Sequence, residues 1–265
     1  MPDSSLLVAS ASRTGALRRG EDNEDALLVE PNLVYKSEQP VMMLILADGL
    51  GGESSASLAS QIAVQCVADY TKQQLDHYCR SQVDITDATL REILVGAVRC
   101  AHETLLAKRT GGQSTLLCAL LMDRRVSIAH IGDSRAYLIK NYVVQQLTKD
   151  HSVVQTRYID TGQMDEEEAR SHPLSWALVS AIGMNDLEIH PDVVTKAMGV
   201  REWLLLCSDG LWRFLDNDRM LSILSTTETV ESACEQLVAA AQRAGSEDDI
   251  SVILATLQPG RKGER

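Results

Sequence analysis

Five short stretches of this chain set carboxylates beside tight turns: Asn23-Glu24-Asp25, Asp48-Gly49, Gly132-Asp133-Ser134-Arg135, Asp209-Gly210 and Asp248-Asp249. Asp-Gly alone is a common turn dipeptide and carries little information. What sets these apart is that each follows or precedes an apolar run, so all of them can converge on one end of a pair of sheets. Gathered in one cleft, two unneutralised carboxylates about 4 Å apart repel by roughly 4 kcal/mol at an effective dielectric near 20. No matching cluster of Lys or Arg accompanies them, so the set implies either protonation or divalent cations. All-oxygen donors select hard ions such as magnesium and manganese over zinc. Two such ions about 3.5–4 Å apart bind phosphate oxygens and activate a bridging water for in-line attack.

The elements that must deliver these groups are visible in the hydropathy pattern. Residues 41–47 (VMMLILA) and 203–207 (WLLLC) are unbroken apolar runs that end at or just before an Asp-Gly pair, the pattern of strands buried on both faces. Residues 115–122, 126–131, 134–140 and 250–257 also read as strands. Helical periodicity marks 54–78, 87–108 and 230–244, the last with Gly245 as its stop. Strands and helices come in blocks rather than strict alternation, which predicts an α+β fold with antiparallel sheets. Residues 149–183, with Gly162, Pro173 and an acidic patch at 165–168, read as a surface excursion holding a short helix. One domain over 1–258 is the simplest organisation, with 259–265 a disordered tail.

The chain has 265 residues, a net charge of −12 and 45% hydrophobic residues, enough to bury a sizeable core. A sequence-general nucleic-acid binder needs a basic face, and no Lys/Arg stripe occurs, so nucleic acid is not an expected partner. The six cysteines form no CxxC pair and have no zinc-finger spacing, which fits buried thiols in a reducing compartment. The apolar run at 6–9 is too short for a signal peptide, and no stretch approaches the roughly 20 residues of a membrane span. A soluble cytoplasmic monomer is the expectation. Neither GxxxxGK[ST] nor GxGxxG occurs, which argues against nucleotide-phosphate chemistry.

Seven segments in order complete the pattern: Asn23-Glu24-Asp25-Ala26, Asp48-Gly49-Leu50-Gly51-Gly52-Glu53, Gly112-Gln113-Ser114-Thr115, Gly132-Asp133-Ser134-Arg135-Ala136-Tyr137, Leu147-Thr148-Lys149-Asp150-His151-Ser152, Ser208-Asp209-Gly210-Leu211 and Asp248-Asp249-Ile250-Ser251-Val252. Together, over about residues 8–257, they resemble the ordered motifs of the metal-dependent protein serine/threonine phosphatases (PPM, type 2C) in a compact bacterial form. The resemblance implies a four-layer α/β/β/α sandwich of two antiparallel sheets flanked by helices. It also implies two manganese or magnesium ions, phosphoserine and phosphothreonine proteins as substrates, and a cognate Ser/Thr kinase as a partner. By motif, Asp48, Asp209 and Asp248 carry catalysis. Asp48 bridges the two ions, the Gly49 carbonyl joins one of them, and Asp209 and Asp248 hold the other. Glu24 and Asp25 act through or near coordinated water, and Asp133 matches the carboxylate of a third ion. A metal-bridging water attacks phosphorus directly, with no protein nucleophile.

Three departures from that family pattern bear on function. The substrate-gripping Arg five residues before Asp25 is replaced by Gly20, with Arg19 or Arg18 just upstream to take its place through bidentate contact with phosphate. Arg213 stands where relatives commonly place another third-ion Asp, which weighs against a third ion. Asp249 stands where Asn is usual. His130, on a core strand, reads as a satisfied structural residue rather than a ligand. An alternative reading is a catalytically weak relative that binds phosphoproteins as a regulatory module, and a second is a hydrolase of small phosphoesters.

Overall fold

The computed structural model describes residues 4–16, 22–33, 40–170, 172–184 and 188–259. Its strands are β1 (Ser4–Arg13), β2 (Asp25–Glu30), β3 (Val41–Leu50), β4 (Gln113–Ser114), β5 (Leu116–Met122), β6 (Arg125–Ile131), β7 (Arg135–Lys140), β8 (Val143–Gln146), β9 (Asp192–Ala197), β10 (Trp203–Cys207) and β11 (Ile250–Pro259). Its α-helices are α1 (Glu53–Arg80), α2 (Asp87–Lys108), α3 (Glu166–Arg170), α4 (Asp209–Trp212), α5 (Asn217–Thr226) and α6 (Val230–Arg243). Among the described residues, one antiparallel sheet has the order β1-β11-β10-β7-β8 and the other β2-β3-β5-β6-β9, with β4 paired to β3.

Side-chain alternation explains the unbroken apolar runs. In β3, Leu44 and Leu46 enter the layer between the sheets, while Met43, Ile45 and Ala47 pack under α1 and α2. In β10, Leu204 and Leu206 face the other sheet, and Leu205 and Cys207 face α6. Each central strand is thus covered on both faces, and the layers run helix, sheet, sheet, helix, as the resemblance implied.

The structure adds elements that the sequence pattern did not reveal. β1 alternates Ser and Ala with Leu and Val and lies at a sheet edge, so its apolar signal is thin. β8 and β9 are also edge strands and only half-buried. The short helix α5 is capped by Asp216, whose side chain accepts from the Arg219 N–H at 2.7 Å. β11 runs through Pro259, where the disordered tail was expected to begin, and 260–265 lie outside the described residues. The excursion contains a π-helical turn at Gln155–Ile159 as well as α3. The Ser152–Leu178 bridge closes it on itself, and the Ser114–Ile182 bridge stitches it back to the body.

Candidate active site

Antiparallel pairing brings the acidic stretches to one edge. β2 begins where β3 ends, so Asp25 lies directly across from Asp48. β11 begins where β10 ends, which places Asp248 and Asp209 at the corresponding edge of the second sheet. The turn between β6 and β7 adds Asp133. The five carboxylates share one electrostatic field. Asp48 is pushed well above the ordinary carboxylate range, first by burial and then by the charges of Asp25, Asp209, Asp248 and Asp133. Burial raises Asp25 to about 8; hydrogen bonds from Ser251 and Ser208 oppose the rise, and Asp249 and Asp209 add to it. Burial and Asp209 raise Asp133 to about 8, against the pull of Arg213.

Backbone geometry at the site is tightly specified. At Gly49 a Cβ would run into the Ala56 carbonyl of α1 and lie 2.9 Å from the Glu24 carbonyl oxygen, which itself accepts the Gly49 N–H at 3.1 Å. The Asp48 peptide is clamped on both sides. Its N–H donates to Thr115 Oγ1 at 3.0 Å, and its carbonyl accepts from the Thr115 N–H at 2.8 Å, with Ser114 Oγ 2.9 Å away. The Gly-Gln-Ser-Thr segment is therefore a brace for Asp48, and Ser134 extends it with a 2.7 Å bond to Thr115.

Asp249 holds the Asp25 side of the cleft. Its two oxygens accept from the backbone N–H groups of Gly15 at 2.7 Å and Glu24 at 2.6 Å. An amide offers one acceptor oxygen where a carboxylate offers two, which explains why an Asp suits this position. Ser208 Oγ donates to Asp25 Oδ2 at 2.9 Å and accepts from the Ser251 N–H at 3.0 Å. Asn23 caps the same turn by accepting from the Asp25 N–H at 2.8 Å.

Arg213 lies within the acidic group. Its Nε donates to Asp209 Oδ2 at 2.7 Å and its guanidinium reaches Asp133 Oδ2 at 3.1 Å. The same guanidinium donates to the Ser175 carbonyl at 2.9 Å and reaches Ser175 Oγ at 3.2 Å, so it ties the excursion to the cleft. Beside it, Trp212 Nε1 donates to the Asp133 carbonyl at 2.9 Å. Arg135 stacks 3.5 Å from the Trp212 ring centroid and makes a bidentate pair with Asp150 at 2.9 and 2.7 Å. The sequence marked Arg213 as a charge reversal. It could not reveal the partner on the excursion, because Ser175 is 38 residues away.

Two carboxylate oxygens in the cleft, Asp25 Oδ1 and Asp209 Oδ1, are buried without a hydrogen-bond partner among the described residues. Asp248 Oδ1 accepts from the Asp249 N–H at 2.8 Å. The acidic set is not packed tightly. Among the described residues, the trio whose ligand atoms all lie within 4.8 Å of one another is His130, His151 and Asp192, not a set of these aspartates. Arg18 and Arg19 lie outside the described residues. His130 departs from its expected role as a satisfied core residue: it is 1% exposed, yet neither ring nitrogen has a hydrogen-bond partner among the described residues. The backbone at Gly132 and Ser134 lies close enough to the ring to oppose, in part, the effect of burial on it.

Comparison with known proteins bears on the family and the fold. The family described as protein phosphatase 2C matches residues 14–249. The serine/threonine phosphatase stp of Listeria monocytogenes is 32% identical over 252 residues, covering 95% of this chain and 96% of that protein. The crystal structure of serine/threonine phosphatase Stp1 from Staphylococcus aureus superposes with a TM-score of 0.81 at 29% identity, covering 95% of each chain. The catalytic domain of the protein phosphatase PstP, in complex with two manganese ions, superposes with a TM-score of 0.78 at 28% identity, covering 96% of this chain and 99% of that one. Fold, ordered motifs and relatives converge, and the chain belongs to the protein phosphatase 2C family.

Proposed function

We propose that this protein is a metal-dependent phosphatase that hydrolyses phosphoserine and phosphothreonine in proteins, with its chemistry at the acidic edge of the two sheets. The observation that carries the reading is the set of five aspartates in one electrostatic field, with the buried Asp25 Oδ1 and Asp209 Oδ1 lacking hydrogen-bond partners among the described residues. Such oxygens are costly unless neutralised, and an all-oxygen set fits manganese or magnesium. Asp48, the Gly49 carbonyl, Asp209 and Asp248 would hold two ions, with Glu24 and Asp25 acting through their water. When bound, the ions supply the charge that draws phosphate into an acidic cleft and acidify the attacking water.

The chain's own residues do the rest. Thr115 and Ser114 fix the Asp48 peptide, Ser208 orients Asp25, and Asp249 holds the Glu24 turn. Arg213 serves as a resident cation between Asp133 and Asp209 in place of a third ion. Arg19, or Arg18, would grip the substrate phosphate. The reading includes one catalytic domain over 1–258, a cytoplasmic location, a monomer, and a Ser/Thr kinase whose products it reverses. Among the described residues no helix is long and apolar enough to cross a membrane.

The test is hydrolysis of a phosphothreonine peptide and of p-nitrophenyl phosphate with manganese present. EDTA should abolish both activities. Full turnover in EDTA would refute metal dependence. Metal uptake with no turnover of any phosphopeptide would favour a phosphoprotein-binding module instead.

A further inference from the structure

His130, His151 and Asp192 meet where the two sheets leave open edges. His130 on β6 lies directly across from Asp192 at the start of β9, the outer strand of its sheet. His151 follows β8, the outer strand of the other sheet. The two imidazole rings are 4.7 Å apart between centroids, and His151 Nε2 lies 3.2 Å from Asp192 Oδ2. One ligand atom from each of the three residues falls within 4.8 Å of the others. Tetrahedral ligands about 2.0 Å from a central ion are separated by roughly 3.3 Å, so the His151–Asp192 edge already has the required length.

His130 supplies a second, independent observation. Its ring is buried, both of its nitrogens lack partners among the described residues, and an unpaired buried polar group costs about 1–3 kcal/mol. Burial, followed by the neighbouring His151, pushes His130 down to about 3, so the imidazole stays neutral, the form that binds metal. A cavity of about 300 Å³ opens against His130 and Asp192, lined also by Arg91 and Lys149. It gives solvent or an exchangeable ligand access to the fourth position. None of the aspartates of the acidic cleft lines it.

We propose that His130, His151 and Asp192 form a second metal site, selective for one zinc ion, that staples the outer strand of one sheet to the segment following the outer strand of the other. Two imidazoles and one carboxylate suit borderline ions, unlike the all-oxygen cleft. The competing occupant is a proton. The Gly132 N–H points at His151 Nδ1 at 3.3 Å, which favours the tautomer whose Nε2–H donates to Asp192. Zinc on Nε2 shifts that proton to Nδ1 and gives up the long Gly132 contact.

The experiment uses the full chain, stripped with chelator, in excess magnesium that occupies the oxygen-lined cleft. Zinc alone is titrated calorimetrically, and cobalt alone is followed by its visible absorption. Wild type and Asp209→Asn should each take up one tight equivalent of zinc and give the intense cobalt bands of tetrahedral coordination. Asp192→Asn, at an exposed position, and His151→Gln should bind zinc at least about tenfold more weakly and lose those bands. Zinc should raise the melting temperature of the first pair and not of the second. The proposal is overturned if Asp192→Asn and His151→Gln bind zinc as wild type does, if Asp209→Asn alone abolishes uptake, or if wild type takes up none. Phosphatase activity enters none of these readouts, so failure here is separable from failure of the proposed function.

Discussion

Replacing Arg213 with Met removes a charge but keeps most of the side chain's length, and two measurable consequences follow. The guanidinium pairs with Asp209 at 2.7 Å and Asp133 at 3.1 Å, and its side chain is 18% exposed. Removing one partner of a buried ion pair costs about 3–5 kcal/mol. Partial exposure and proton uptake by the orphaned carboxylates hold the cost near the lower end, about 3 kcal/mol. For a chain of 265 residues, an unfolding entropy near 2.1 cal/mol/K per residue turns that into a fall of about 5 °C in the metal-free melting temperature. The second consequence has the opposite sign. A guanidinium about 5 Å from a divalent ion that shares the Asp209 carboxylate repels it by about 1.7 kcal/mol even at the dielectric of water. Arg213→Met should therefore bind manganese at least about tenfold more tightly by calorimetry, and manganese should raise its melting temperature more than that of wild type. Arg213→Asp should go further and add a manganese equivalent. If Arg213→Met leaves both the metal-free melting temperature and the manganese affinity unchanged, the guanidinium is not the resident cation described here.

Other outcomes follow from the same geometry. Asp209→Asn should lower phosphopeptide turnover about 100-fold or more at fixed manganese while circular dichroism stays unchanged, in line with the loss of a preorganised electrostatic contact. Asp25 and Asp133, raised to about 8 when folded, bind more protons folded than unfolded between about pH 4 and 8, so stability contributed below pH 4 is lost as pH rises through 8. Melting temperatures in EDTA should fall across that window and flatten when manganese is added; a rise with pH would contradict the sign. Thr115→Val leaves the Asp48 N–H without its acceptor and should cost about 1–3 kcal/mol in denaturant unfolding, whereas Thr115→Ser should keep most of that stability. Gly49→Ala forces a Cβ against the Ala56 carbonyl, and soluble protein from it should melt well below wild type and lose activity.

Legibility in the sequence tracked burial. β3, β5 and β10 have both faces covered, so their apolar runs announced them. β1, β8 and β9 lie at sheet edges and carry too little apolar contrast to register. The carboxylates were legible because a turn must follow a strand and Asp favours turns, while their convergence depended on antiparallel pairing, which no local pattern specifies. Partners supplied by distant segments were out of reach altogether. Arg213 meets Asp133 across 80 residues and His151 meets Asp192 across 41, and neither pair leaves a periodic trace.

The ordered motifs are better understood as two kinds of residue than as one list of ligands. Asp25, Asp48, Asp133, Asp209 and Asp248 generate a field that destabilises the site they occupy. Ser114, Thr115, Ser134, Ser208, Asp249 and the Arg135–Asp150 pair consist of hydrogen bonds that stop the surrounding backbone from relaxing away from that field. A carboxylate cluster without such braces would disperse, and braces without the cluster would have no strain to resist. Arg213 belongs to both kinds, because one guanidinium neutralises Asp133 and Asp209 while it holds the excursion at Ser175. Charge in the cleft and the position of the excursion are thereby coupled. An ion that competes with Arg213 for Asp209 also weakens the hold on the excursion at Ser175.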